Sequence, residues 1–363
     1  MSKLNQRKTP FLDAVKFAVE NTVSPLDVPG HHMGNVSNKL KDYLGDTVFK
    51  SDVNAPYGLD NLANPHGVIA EAEALMADLC HADNSFFLIN GTTSGIIAMI
   101  MATCKANDRI ILPRNVHKSI VNGLILSGAT PIYIMPHLDT ELEIANQPSV
   151  EEYIKAMQKF PSAKAIFVIN PTYFGAVTDL KRLVEEAHSR GMAVLVDEAH
   201  GAHYYFDQNG PISAMDAGAD VSSVSFHKTG GSLTQSSVLL LKSKIINKLD
   251  IQKALNVLNT TSPSTLLLAS LDAARQHVAL HGEQEMIKVH ELSSYVSEQI
   301  NKINGFISCG KEHFITRGCY DYDDTKLVIK LDHLDINGFD LYKLLKTKFD
   351  IQMELAETYV VLG

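Results

Sequence analysis

Two periods of apolar residues alternate along this chain. Short, nearly continuous apolar runs at Ser85–Ile89, Arg109–Leu112, Thr130–Met135, Ala165–Ile169 and Ala193–Val196 predict strands. Between and around them lie stretches with helical spacing: 7–23, 66–80, Ile96–Lys105, Asn115–Ser127, Ser149–Lys159 and Asp179–Arg190. Strands of this kind, each followed by a helix, predict a mostly parallel sheet covered on both faces. Two further strand patterns, Val221–Phe226 and Val238–Leu241, flank a loop rich in glycine and hydroxyls. Beyond Leu241 the texture changes. Residues 242–260 read as helical and linker-like. A helix opening at Thr260–Ser264 runs through Leu266, Leu271 and Ala274, and a second helix covers roughly 284–303. Strands follow at Phe306–Cys309, Lys326–Lys330 and Ile351–Leu355, with a helix at Asn337–Phe349, and Val-Leu-Gly363 reads as one more strand. The pattern divides into an N-terminal segment 1–35, a large α/β domain 36–260 and a small α+β domain 261–363. Residues 25–35 and 50–66 are turn-rich loops.

Composition narrows the class. The 363 residues are 45% hydrophobic and 20% charged, which suits a globular chain with a sizeable core. A net charge of −9 disfavours nucleic acid as a partner. No run of about 18 apolar residues predicts a membrane span, and the N-terminus lacks the apolar core of a signal peptide. The four cysteines are far apart with no C-x-x-C and read as reduced buried thiols, so a cytoplasmic protein is expected. His31 and His32 have no spaced partner that would make them metal ligands, and no metal is expected.

Ligands of doubly covered sheets bind beyond the carboxyl ends of the strands. Thr93, His117, Pro171, Asp197 and Lys228 all fall just after strands or at helix starts. Lys228 sits on a tight connection between two strands, among small residues that let the backbone approach a ligand. It is either a solvated loop lysine or an amine that forms a Schiff base. Asn90-Gly-Thr-Thr-Ser-Gly95 opens a helix, which makes it an anion site or an ordinary cap. No Gly-Lys-Ser/Thr follows, so it is not a Walker A loop. Asp197 is either a cap or the carboxylate that a pyridine-nitrogen cofactor requires.

Ser223-Val-Ser-Phe-His-Lys-Thr-Gly-Gly-Ser-Leu-Thr-Gln-Ser-Ser237 resembles, position by position, the lysine-attachment signature of the pyridoxal-phosphate-dependent ornithine/lysine/arginine decarboxylases. Pro29–Gly34 resembles that family's Pro-Gly-His-x-x-Gly element, and Asp197-Glu-Ala-His200 its Asp-x-x-His. The resemblance spans residues from about 10 to 363. It implies a fold-type I, aspartate-aminotransferase-like architecture. It further implies pyridoxal 5'-phosphate on Lys228, Asp197 against the ring nitrogen, and His117 over the ring. Thr92, Thr93, Ser94, Ala199, His200, Ser225 and His227 would complete the cofactor site. The reaction implied is decarboxylation of arginine, lysine or ornithine to CO2 and an amine. The active unit implied is a homodimer or larger, with Thr261 and Ser262 reaching the neighbour's phosphate. Glu354 is the candidate for the substrate's distal cation. The family's usual further C-terminal portion is not found, so a short form is expected. Another fold-type I reaction, favoured if Arg317 grips a carboxylate, and a silent PLP-binding protein are the alternatives.

Overall fold

A computed structural model describes residues 4–54 and 57–363. Residues 1–3 of the N-terminal segment and residues 55–56 of the 50–66 loop lie outside this range. Seven strands form the central sheet: β1 Asn84–Leu88, β2 Arg109–Pro113, β3 Thr130–Ile134, β4 Ala165–Ile169, β5 Ala193–Asp197, β6 Val221–Val224 and β7 Ser237–Leu241. Their spatial order is β1-β7-β6-β5-β4-β2-β3. The pairings from β6 across to β3 are parallel, and those of β7 with β6 and β1 are antiparallel. The β6–β7 connection is only twelve residues, so β7 turns straight back beside β6 instead of crossing over a helix.

The strands are apolar throughout because both faces are covered. On one face pack the helices α1 Gly91–Thr103, α2 Lys118–Ser127 and α3 Lys248–Leu258. The other face is closed by Pro10–Asn21, Val68–Leu79, Val150–Lys159, Leu180–His188 and the first half of a long helix, α4 Thr265–Ile300. Gly95 lets α1 press onto the sheet, since a Cβ there would lie 2.3 Å from Ser223 Oγ.

A second sheet, in the order Phe306–Cys309, Val328–Leu331, Val360–Leu362 and Leu355–Ala356, is antiparallel and carries Gly338–Phe349 on one face. Its other face packs on Leu142, Ile144, Phe174 and Ala176. Asp321–Tyr322 pairs with Ala176–Val177, so the C-terminal part is stitched to a loop of the first sheet.

Four sequence expectations change. The two helices expected after Pro263 are one, the 36 residues of α4, because no proline interrupts it and Gly282, between the two expected helices, packs against Phe206 within the helix instead of ending it. Ser264 caps it through the amide of Leu267. Lys228 is not on a bare turn but on one helical turn, Phe226–Thr229, and Phe226 belongs to that turn rather than to a strand. Ile351–Leu355 is not a strand. Only Leu355–Ala356 pairs, and Ile351 is exposed while Met353 is buried.

Candidate active site

The segments after the carboxyl ends of β2, β4, β5 and β6 converge on one cavity of about 440 Å³. Asn115 and His117 line it after β2, Pro171–Phe174 after β4, Asp197, Ala199 and His200 at the end of β5, and Lys228 after β6. Thr92 enters from α1, and Glu143 and Glu357 close the outer side.

Asp197 ends β5 and is only 6% exposed. Burial raises its pKa, against the Ala199 amide that donates to Oδ1 at 3.1 Å and the charges of Lys228 and His117. A buried carboxylate of this kind calls for a cation above it. Lys228 reaches the cavity from its helical turn. Burial and Lys326 lower its pKa, with Asp197 and Glu354 opposing. Its Nζ donates to Nε2 of His200 at 2.8 Å, since an ammonium has donors only and Nε2 must accept. Burial, then the charge of Lys228, drives the His200 pKa down to about 2, so the ring is neutral. The Tyr173 ring packs against His200 at 4.3 Å between centroids, and Lys228 Nζ stands 5.6 Å from the same ring's centroid. The Tyr173 hydroxyl donates to Glu354. His117 caps α2 through the amide of Ser119 and contacts the Ser119 hydroxyl at 2.8 Å.

The remaining sequence candidates divide. Thr92 Oγ1 and Ser225 Oγ are 3.1 Å apart, which joins the two loops expected to hold an anion. The Ser94 hydroxyl is buried and donates to Gly91 O. His227 is directed at the carbonyl of Ser236, 2.9 Å away. Thr93, Ser94, Ser225, His227 and Glu354 are not among the residues lining the cavity. Thr261 lies on a separate cleft with Phe11, Leu59 and Thr265, and the Ser262 amide donates to Thr260. Arg317 is held by Glu141 and Asp139 and does not line the cavity. Sequence reasoning missed Tyr173, Glu143 and Glu357. The aromatic pair in Asn170-Pro-Thr-Tyr-Phe174, directly after a strand, was the available signal for Tyr173.

These groups fit pyridoxal phosphate. The cavity offers an amine, a buried carboxylate, hydroxyls at a helix N-terminus and two aromatic rings. Asn115 Oδ1 and Thr229 Oγ1, buried at or beside it, have no protein partner.

The match to known proteins covers most of the chain. Residues 9–341 match the Orn/Lys/Arg decarboxylase, major domain. The chain belongs to the Orn/Lys/Arg decarboxylase family. It is 42% identical to an arginine decarboxylase of Halalkalibacterium halodurans over 98% of this chain and 73% of that protein. To an arginine decarboxylase of Bacillus subtilis it is 41% identical, over 99% and 74%. Among solved structures, lysine decarboxylase A from Pseudomonas aeruginosa superposes with a TM-score of 0.86 at 20% identity, over 97% of this chain and 56% of that one. The chain thus spans little more than half the length of the lysine decarboxylases it superposes on. The ureidoglycine-glyoxylate aminotransferase of Bacillus subtilis superposes with a TM-score of 0.64 at 13% identity, over 81% and 78%. The fold is that of the fold-type I enzymes. No helix among the described residues is long and apolar enough to cross a membrane.

Proposed function

We propose that this chain is a carboxy-lyase that uses pyridoxal 5'-phosphate to release CO2 from a basic amino acid, arginine foremost. The observation that carries the reading is the amine of Lys228 and the buried carboxylate of Asp197 facing one cavity at the strand ends. The relatives named arginine decarboxylase give the order of substrates.

Lys228 Nζ would hold the cofactor carbonyl, and Asp197 the ring nitrogen. Thr92, Ser225 and the free amides at the start of α1 would hold its phosphate, with Thr93, Ser94 and His227 around them and His117 at the ring. Bound there, pyridoxal phosphate supplies an electron sink for the pair left on Cα as the carboxylate departs. The protein's own part is proton handling and orientation. Lys228 sheds its proton more readily because burial lowers its pKa, neutral His200 orients the amine by accepting its hydrogen bond, and Nζ can return a proton. Asp197, kept from water, retains its charge only opposite a cation, which holds the ring nitrogen protonated. Tyr173 packs against His200 and holds Glu354 through its hydroxyl. Glu143 and Glu357 in the cavity lining, and Glu354 beside it on the Tyr173 hydroxyl, offer carboxylates for a guanidinium or ammonium.

The active unit in this reading is a homodimer or larger, in the cytoplasm. Thr261 and Ser262 do not line their own chain's cavity, which suits the expectation that they serve a neighbour's cofactor. Incubation with arginine, lysine and ornithine separately, with CO2 and amine measured, tests the reaction. Keto-acid formation without CO2 would replace it with a transaminase, and no turnover with bound cofactor would replace it with a binding protein.

A further inference from the structure

We infer that Asp323 is a positioning residue that fixes the two loops holding His200 against Lys228. This inference rests on the Lys228–His200 pair being the reactive one. Asp323 lies outside the cavity on the C-terminal stitch 321–326 and is 1% exposed. Its carboxylate Oδ2 lies 3.2 Å from Nε2 of His203, an ion contact without hydrogen-bond geometry, and His203 is 2% exposed. His203 is three residues past His200 on the short helix Ala202–Tyr205. The Asp323 amide donates to Gly175 O at 2.9 Å, two residues past Tyr173. One residue therefore grips both the loop after β5 and the loop after β4. These two loops touch where the rings of Tyr173 and His200 meet.

The grip leaves little freedom. The second carboxylate oxygen accepts from the Thr325 hydroxyl at 2.6 Å and its amide at 3.1 Å, which orients Asp323 itself. Gly175 has φ +89°, and a Cβ there would sit about 3 Å from Tyr322, Lys326 and the Asp323 carbonyl. Burial works against the Asp323 charge, yet His203 and Lys326 hold its pKa far below the usual carboxylate range. The charge is thus present throughout the working pH range. Removing one partner of a buried pair strands the other without compensation. The loop after β5 then loses its contact with the carboxylate, while the Asp323 amide still holds the loop after β4 through Gly175 O, and His200 leaves its packed position. The groups that face His200 are Lys228, Lys326, Asp323 and His203. Once exposed and clear of Lys228, its imidazole takes up a proton in the ordinary histidine range.

The full chain, with and without pyridoxal phosphate, is followed by NMR of the histidine Cε1–H signals, with the His200 signal assigned by its loss in His200→Asn. In the unmodified chain the His200 signal is expected not to titrate between roughly pH 5 and 8. In Asp323→Ala it is expected to titrate near pH 6–7, roughly the free-histidine value. With arginine as substrate, kcat is expected to fall about 10-fold or more with KM changed little. A His200 signal that stays non-titrating in folded Asp323→Ala overturns the inference. If that variant does not fold, the isosteric Asp323→Asn is read in the same way, and an unmoved signal there overturns it too. Asp272→Ala breaks a buried ion pair remote from the cavity. A shift of His200 in that variant as well would assign the effect to general loosening and overturn the inference. The titration needs no turnover, so failure of the proposed reaction leaves this test intact.

Discussion

Lys228 Nζ donates to His200 Nε2 at 2.8 Å, so an amine whose pKa is pushed down faces a ring held neutral. Burial depresses both, so the proton on Nζ is less strongly held than on a free lysine. Amine reactivity of Lys228, measured by competitive labelling and mass spectrometry, is expected to have its midpoint below the usual 10.5. Lys228→Ala is expected to abolish the borohydride-fixed adduct with pyridoxal phosphate. A persisting adduct would place the attachment elsewhere.

Asp197→Asn keeps the volume and the Ala199 contact but removes the charge. Cofactor retention with a loss of at least about 10-fold in kcat, worth ~1.4 kcal/mol, is expected. Equal kcat in the variant would take Asp197 out of the chemistry.

Glu354 accepts from the Tyr173 hydroxyl at the outer side of the site. Glu354→Gln is expected to lower kcat/KM for arginine about 10-fold or more, equivalent to at least ~1.4 kcal/mol. An unchanged value with a fall in Glu357→Gln or Glu143→Gln would move the guanidinium contact to those cavity carboxylates.

Asp272 and Arg275 are fully buried, 2.7 Å apart, and tie the N-terminal segment to α4. Asp272 accepts from the amides of Phe11 and Leu12, and Arg275 donates to the carbonyls of Gln6 and Lys8. Asp272→Ala leaves an unpaired guanidinium and is expected to destabilise the chain by about 3–5 kcal/mol in denaturant melts. A loss under about 1 kcal/mol would be the scale of an exposed pair instead.

His290 sits between Asp207 at 2.8 Å and Asp324 at 2.7 Å. Burial opposes its protonation, but the hydrogen bond to Asp207 and the charge of Asp324 outweigh it and raise the pKa above 6.5. The folded state therefore binds this proton more tightly than the unfolded chain. The contribution is complete below about pH 6.5 and fades as pH rises through the higher folded value. His290→Gln is expected to lose more stability at about pH 5.5 than at about pH 8.5. An equal loss at both would show that the ring acts through packing alone.

The central sheet was legible because its strands are buried on both faces, which leaves unbroken apolar runs such as Ala193–Val196. Lys228, Asp197 and His200 were legible through a local signature and through their places after strands. What escaped depends on distant partners. Asp323 reads as one acid in Asp321-Tyr-Asp-Asp324, and nothing nearby in sequence points to His203. Tyr173 is 181 positions from its partner Glu354 and looks ordinary alone. The Ile351–Leu355 strand was misread because alternation at the end of a small sheet is matched by a packed coil with Met353 inward. The break expected between Ala274 and residue 284 is absent because Gly282 packs against Phe206 inside a continuous helix, a partner 76 positions away that the local sequence does not show.

The contact of Phe11 with Asp272 has a consequence for synthesis on the ribosome. The two residues are 261 positions apart. At about 5–20 residues per second, the N-terminal helix waits roughly 13–50 seconds before its anchor is even polymerised. Through that interval Phe11 and Val15, buried in the finished molecule, have no helix α4 to cover them. The helix Pro10–Asn21 is thus made long before it is locked, and the nascent chain carries an open apolar face until α4 emerges.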